Sequence, residues 1–226
     1  MSFFGGAWTV AAKDLRSEWR TKESLNAAVS FALVILLLFS FAFDPDSEQT
    51  REFSGGLLWL VFAFAGTMIL NRSFAREIPN DCLDALVASP VSGAALFAGK
   101  AVASFLLLMA VELIALPVFG LFYNVRWGRQ WALLLLVVVL ATWAMTVIGT
   151  MFSALTVNLR LRELMLPVLV YPMMIPALMA AMQLTTVLIA GEAIAGDNLI
   201  WLRLLVGFDI IFTALGLGLV ETVLVG

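Results

Sequence analysis

Residues 130–159 read QWALLLLVVVLATWAMTVIGTMFSALTVNL, a run bounded by Arg129 and Arg160 that contains no Asp, Glu, Lys or Arg. A bilayer core about 30 Å thick takes about 20 apolar residues as helix, because the backbone must satisfy its own hydrogen bonds where water is absent. This stretch is long enough to cross with residues to spare. Working outward, Ser24 to Phe43, Phe53 to Asn71 and Leu164 to Gly191 are charge-free windows of the same kind. Between Lys100 and Arg126 the only charge is Glu112, and between Arg203 and Glu221 it is Asp209, so each of these reads as a span carrying one carboxylate. The expectation is an all-α polytopic membrane protein with six spans, at about 24–43, 53–72, 94–123, 131–157, 164–190 and 200–222, forming one transmembrane domain over 1–226.

Composition supports this and removes the alternatives. Of 226 residues 62% are hydrophobic and 13% charged, against about 45–50% and about 25% in a soluble domain, which excludes a water-soluble enzyme. Histidine is absent and Cys82 is the only cysteine, so His-dependent triads, zinc sites and disulfide frameworks lack their parts. A net charge of −3 gives no basic footprint for nucleic acid. The segments between spans are too short to hold a further domain. The first apolar run exceeds a signal-peptide core and no small-residue cleavage pattern follows it, so it is expected to stay as a permanent helix.

Six spans put both termini on one side. With that side inward, Lys13, Arg16, Arg20, Lys22, Arg72, Arg76, Lys100, Arg160 and Arg162 face the cytoplasm, while Arg51, Arg126, Arg129 and Arg203 face out. That is the asymmetry the positive-inside bias favours. Two inner elements stand apart from the spans. From about 7 to 22, Trp8, Ala12, Leu15 and Trp19 recur at intervals of four, three and four, with Lys13, Asp14, Arg16, Glu18, Arg20 and Lys22 mostly opposite. This predicts an amphipathic helix along the inner membrane surface, with a docking role for a partner compatible with it. The loop at about 75–92 contains a second, short helix at 80–89, started by Asn80 or Asp81 after Pro79 and stopped by Pro90. Its apolar residues Leu83, Leu86 and Val87 need cover, supplied either by the membrane surface or by a groove on a cytoplasmic protein.

Several motifs fail. Gly93 to Ala101 resembles a phosphate-binding loop, but five residues separate Gly93 from Gly99 where four are needed, and Ala101 stands where Ser or Thr would hold magnesium. Ala95, Gly99 and Ala103 read better as a small-residue stripe admitting a neighbouring helix. Glu112 and Asp209 have no Lys or Arg at comparable depth. Both are expected to be at least partly protonated, or hydrogen-bonded to donors such as Thr142, Trp143, Thr146, Tyr171 or Gln183, acting as glue between helices or as part of a switch. Pro167, Pro172 and Pro176 in the fifth span should kink or break it, giving either simple packing or a hinge. An intramembrane enzyme would have only Glu112 and Asp209, without nucleophile or metal.

Lys13-Asp14-Leu15-Arg16 and Phe39 to Phe43, the loop from Phe74-Ala75-Arg76-Glu77 through Leu83-Asp84-Ala85-Leu86 to Ser89-Pro90, the following Gly99-Lys100, and Pro172-Met173-Met174-Ile175-Pro176 together resemble the CcmB family over roughly residues 7 to 220. That family is the membrane subunit of the haem exporter, or cytochrome c maturation, ABC transporter. Members often carry Asp-Gly before the loop's first leucine, where this chain has Asp81-Cys82. The resemblance implies an ABC-2-like permease of the bacterial inner membrane, working with the ATPase CcmA, with CcmC and CcmD, and with the haem chaperone CcmE. It implies that the 80–89 segment is a coupling helix, with Arg76, Glu77, Asp81 and Asp84 as polar contacts to the ATPase and Leu83 and Leu86 as buried ones. Haem ligation by Met, Tyr or Cys82 is conceivable, but Cys82 falls in the inner loop and the methionines read as span filler, so haem is expected to be handled by the complex and ATP by the partner. The rival readings are an ABC-2 permease for another substrate and a non-transporting scaffold for haem-handling subunits.

Overall fold

The computed structural model describes residues 2–44, 47–77, 91–125, 130–156, 159 and 161–225. The expected helix at 80–89, with Asp81, Leu83, Asp84 and Leu86, lies outside the described residues. Seven helices follow one another: α1 (Phe3–Thr21), α2 (Glu23–Ala42), α3 (Glu48–Ala75), α4 (Gly93–Phe122), α5 (Trp131–Thr156), α6 (Arg162–Ile189) and α7 (Asn198–Val225). All but α1 are long and apolar enough to cross a membrane, and the described residues contain no strand. The six expected spans therefore stand. Their bounds differ mainly where a polar residue extends a helix past the hydrocarbon: α3 starts at Glu48, ahead of the expected 53, because Ser47 Oγ accepts from the Thr50 amide at 3.2 Å and caps the extra turn.

Helices α3 and α5 form the centre of the bundle, α3 touching α2, α4, α5 and α6, and α5 touching α3, α4, α6 and α7. Leu58, Phe62 and Ala65 of α3 and Val137, Val138, Ala144 and Ile148 of α5 are completely buried. The two central helices approach closely because Gly149 has no side chain, and a Cβ there would sit 2.3 Å from Leu70 Cδ1. Trp59 of α3 donates its indole N–H to Thr185 Oγ1 of α6 at 2.9 Å, which satisfies a polar atom in a buried seam. The flanking helix α2 packs through Ser24, Ala28, Ala32 and Leu36, one residue per turn, flanked by the half-buried Leu25, Val29, Ile35 and Phe39, and exposes Val34, Leu37, Leu38 and Phe41.

Helix α6 bears on the expectation that its prolines kink or break the span. Pro167, Pro172 and Pro176 all lie inside a continuous helix, so the span is not broken. Its buried residues Leu166, Val170, Met174, Ala177, Ala181, Leu184 and Leu188 recur at threes and fours, whereas Pro172 and Pro176 are exposed. Placed off the packing stripe, these two prolines leave the contacts with α3 and α5 undisturbed. Pro117, not singled out from the sequence, is likewise inside α4.

Candidate functional site

At one end of the bundle α1 is laid across α4. The two helices meet through small residues: a Cβ on Gly99 would fall 2.5 Å from the Ala7 carbonyl oxygen and 2.7 Å from Val10 Cβ, and one on Gly6 would fall 3.4 Å from Ala95 Cβ. Only glycine at 99 admits the α1 backbone at this distance. The stripe of Ala95, Gly99 and Ala103 thus receives the amphipathic helix itself as its neighbour.

That close approach brings charges from three parts of the chain together. Lys100 lies about two turns inside α4 and is fully buried. Its ammonium donates to the Ser73 carbonyl at 2.7 Å, to Glu77 Oε1 at 2.9 Å and to Asp14 Oδ2 at 3.1 Å, using all three of its hydrogens. It also stands 4.9 Å from the centre of the Phe74 ring. Glu77 accepts a second ammonium, from Lys13. Beside this group, Glu18 is 1% exposed; it accepts from Arg76 and from the Leu25 amide at 2.8 Å, while Arg76 also donates to Ser24 Oγ at 2.6 Å. Three cations, Lys13, Arg76 and Lys100, thus meet three carboxylates, Asp14, Glu18 and Glu77. A surface pair between Arg72 and Glu23 at 2.9 Å lies at the edge.

The balance of charge decides the ionisation. Burial alone would raise the Glu77 carboxyl, but Lys100 and Lys13 hold it below the ordinary glutamate value. Burial works against the Lys13 ammonium, yet its bond to Glu77 and the nearby Asp14 raise it overall. For Arg76 burial dominates and lowers it, while the carboxylates of Asp14 and Glu77 oppose the shift. An ion pair removed from water is retained only when its remaining hydrogen-bonding groups are satisfied, and here nearly every one is. Ser73 Oγ is the orphan, lining a small cavity with Asp14, Ser24, Arg76 and Ser104.

Of the residues singled out from sequence, Arg76 and Glu77 are in this latch, engaged by α1 and α4 from within the chain. Glu77 is 8% exposed, so its carboxylate is not presented to solvent. Asp14, Glu18 and Lys100 were not assigned a role from sequence. The available signals were a cation at 100 inside an otherwise apolar helix and an acidic pair at 14 and 18, one turn apart. Helix α1 is rotated accordingly. Trp8 and Trp19 face outward as expected, but the opposite side is not a solvated polar face; Gly6, Val10, Ala11 and Glu18 are buried against the protein.

The intramembrane acids sit elsewhere and are handled differently. Glu112 of α4 is fully buried and its Oε2 accepts from Thr142 Oγ1 of α5 at 2.5 Å, one of the donors expected. Its other oxygen, and both oxygens of Asp209 on α7, have no partner among the described residues. Trp143 is directed to Thr213 Oγ1 at 2.9 Å and so bridges α5 to α7.

Comparison with known proteins agrees with the architecture. The chain is 29% identical to the heme exporter protein B of Rhodobacter capsulatus over 173 residues, covering 76% of this chain and 79% of that protein. It is 30% identical to heme exporter protein B of Paracoccus denitrificans over 166 residues, 74% and 76% of the two chains. Against heme exporter protein B of Pseudomonas aeruginosa it is 29% identical over 194 residues, 86% of each. A family model described as CcmB protein matches residues 6–218, which takes in most of α1, the latch, five whole spans and most of the sixth, and the chain therefore belongs to the CcmB family.

Proposed function

We propose that this chain is the membrane permease subunit of an ABC transporter complex for haem export and cytochrome c biogenesis, coupling ATP hydrolysis on a partner ATPase to motion of its own helices. The observation that carries this reading is Lys100. The segment at 78–90 begins immediately after Arg76 and Glu77, and Lys100 binds Glu77 of that end of α3 together with Asp14 of α1 from within α4. A force applied to the segment reaches α1, α3 and α4 together, because separating any two of them breaks buried ion pairs.

In this reading the α1 end lies in the cytoplasm, where Lys13, Arg16, Arg20, Lys22, Arg72, Arg76 and Lys100 satisfy the positive-inside bias. CcmA grips the 80–89 helix through Leu83 and Leu86, and CcmC, CcmD and the chaperone CcmE complete the complex. Haem is cargo of the assembly, not a group resident in this chain. Leu83→Asp or Leu86→Asp is expected to abolish recovery of the ATPase with the tagged protein while leaving membrane insertion intact. Undiminished recovery of the ATPase overturns the reading. A deletion strain that keeps its c-type cytochromes points to another substrate, and failure of haem-loaded chaperone to stimulate ATP hydrolysis points to a scaffold.

A further inference from the structure

Helix α1 has three sides, not two. At 100° per residue, from 3.6 residues per turn, Gly6, Val10, Asp14 and Glu18 form the side that docks on the bundle. Phe4, Trp8 and Trp19 form a second side and are 83%, 66% and 75% exposed. Arg16 and Arg20, one turn apart, form a third, along an open groove that also includes Ala12, Lys13 and Ser17. The helix has only two carboxylates, Asp14 and Glu18, and both are turned inward onto Lys100 and Arg76. Every charge that remains outward on α1 is therefore positive, among aromatic and small neutral residues. Among the described residues neither Arg16 nor Arg20 has an ion-pair partner.

The position of α1 says what covers these sides. A single residue, Lys22 at φ 54°, joins α1 to the span α2, and the helix crosses α4 at Gly99, within the apolar span Gly93–Phe122. Both constraints hold α1 at the level of the membrane boundary. There the aromatic side meets the junction of acyl chains and headgroups, and the basic side meets headgroup phosphates.

We infer that the Arg16–Arg20 side of α1 is a binding surface for anionic phospholipid headgroups, with Phe4, Trp8 and Trp19 inserted beside it. Charge complementarity commits it to a lipid phosphate, because a surface stripped of its own carboxylates attracts anions and repels none. The inference is independent of the proposed transport activity, and its test requires no partner subunit.

The experiment uses the full chain in mixed detergent micelles containing equal amounts of phosphatidylglycerol and phosphatidylcholine, with retained lipids counted by native mass spectrometry. Each basic residue near an anionic surface favours it several-fold, so the wild-type protein is expected to retain phosphatidylglycerol over phosphatidylcholine by about tenfold. The double variant Arg16→Gln/Arg20→Gln is expected to retain the two lipids about equally, and Arg16→Lys/Arg20→Lys to keep most of the preference. The unfolding temperature in zwitterionic micelles should be the same for all three, since neither arginine contributes to the latch. Equal retention by the wild type, or an undiminished preference in the glutamine variant, overturns the inference. So does a glutamine variant that loses a protein partner while its lipid preference is unchanged, which would give the surface to protein instead.

Discussion

The latch between α1, α3 and α4 and the acids in the middle of the bundle solve the same problem in opposite ways. In the latch, six charged groups are taken partly or wholly out of water and each finds a counter-ion. In mid-bundle, Glu112 has one hydroxyl donor and Asp209 has none among the described residues. The contrast identifies the part of the molecule held together by ion pairs. Charges that neutralise one another across three helices bind those helices into a unit, because moving one strands the others. Glu112 and Asp209 tie no cation on another described helix to their own, so they add no ion pair to that unit.

The sharpest way to break the comparison is to remove Lys100. Lys100→Met keeps most of the length of the side chain, one atom short, but leaves Asp14 and Glu77 without their buried cation, and deleting one member of a buried pair costs about 3–5 kcal/mol. The loss is read from thermal unfolding in detergent. Acid should approach the same state reversibly. Glu77 titrates below its ordinary value in the folded protein, so its contribution is present above the unfolded glutamate pKa of about 4.3 and is lost as pH falls through the lower folded value. Lys13 is raised, so its contribution is complete below the ordinary lysine pKa of about 10.4 and is lost only as pH rises beyond the folded value. The latch is therefore intact across the neutral range, and unfolding temperature should fall at both extremes, the acid fall beginning at higher pH in the variant lacking Lys100 because Glu77 then loses one of the two cations that hold it low.

Asp209→Asn sits at the small end of the scale. The change keeps the shape of a side chain that has no partner to lose among the described residues, so unfolding should move by less than about 1 kcal/mol, in the range of a near-isosteric substitution away from paired charges. A loss comparable to that of Lys100→Met would erase the distinction between the two regions.

The six spans were legible because hydrocarbon thickness fixes how many apolar residues a helix needs, and the windows from Ser24 and from Gln130 meet that length without charge. The family was legible in the same residues that build the site: Lys13-Asp14, Arg76-Glu77 and Gly99-Lys100 lie far apart in the chain and converge on one cluster. Their convergence could not be read from pattern. Periodicity weighs each residue by hydropathy, so the acidic Asp14 and Glu18 counted as solvated, whereas their counter-ions at 76 and 100 make that side of α1 the buried one. Similarly, Lys100 fell inside the expected span at 94–123, but nothing in the pattern showed that α1 covers it and supplies Asp14 as a partner. Of the two outcomes expected of the prolines in α6, a kink or a break, the break is absent: the helix runs through all three, and Pro172 and Pro176 lie outside its packing stripe.

The most direct test of the latch is a disulfide. The Gly6 position is 3.4 Å, Cβ to Cβ, from Ala95, near the separation of about 3.8 Å that a disulfide requires. With Cys82 replaced by serine, Gly6→Cys/Ala95→Cys in native membranes should be oxidised nearly completely within one chain, and adding Lys100→Met should lower the yield severalfold. If no intrachain bond forms, or if its yield is indifferent to Lys100, α1 is not held on α4 by this network.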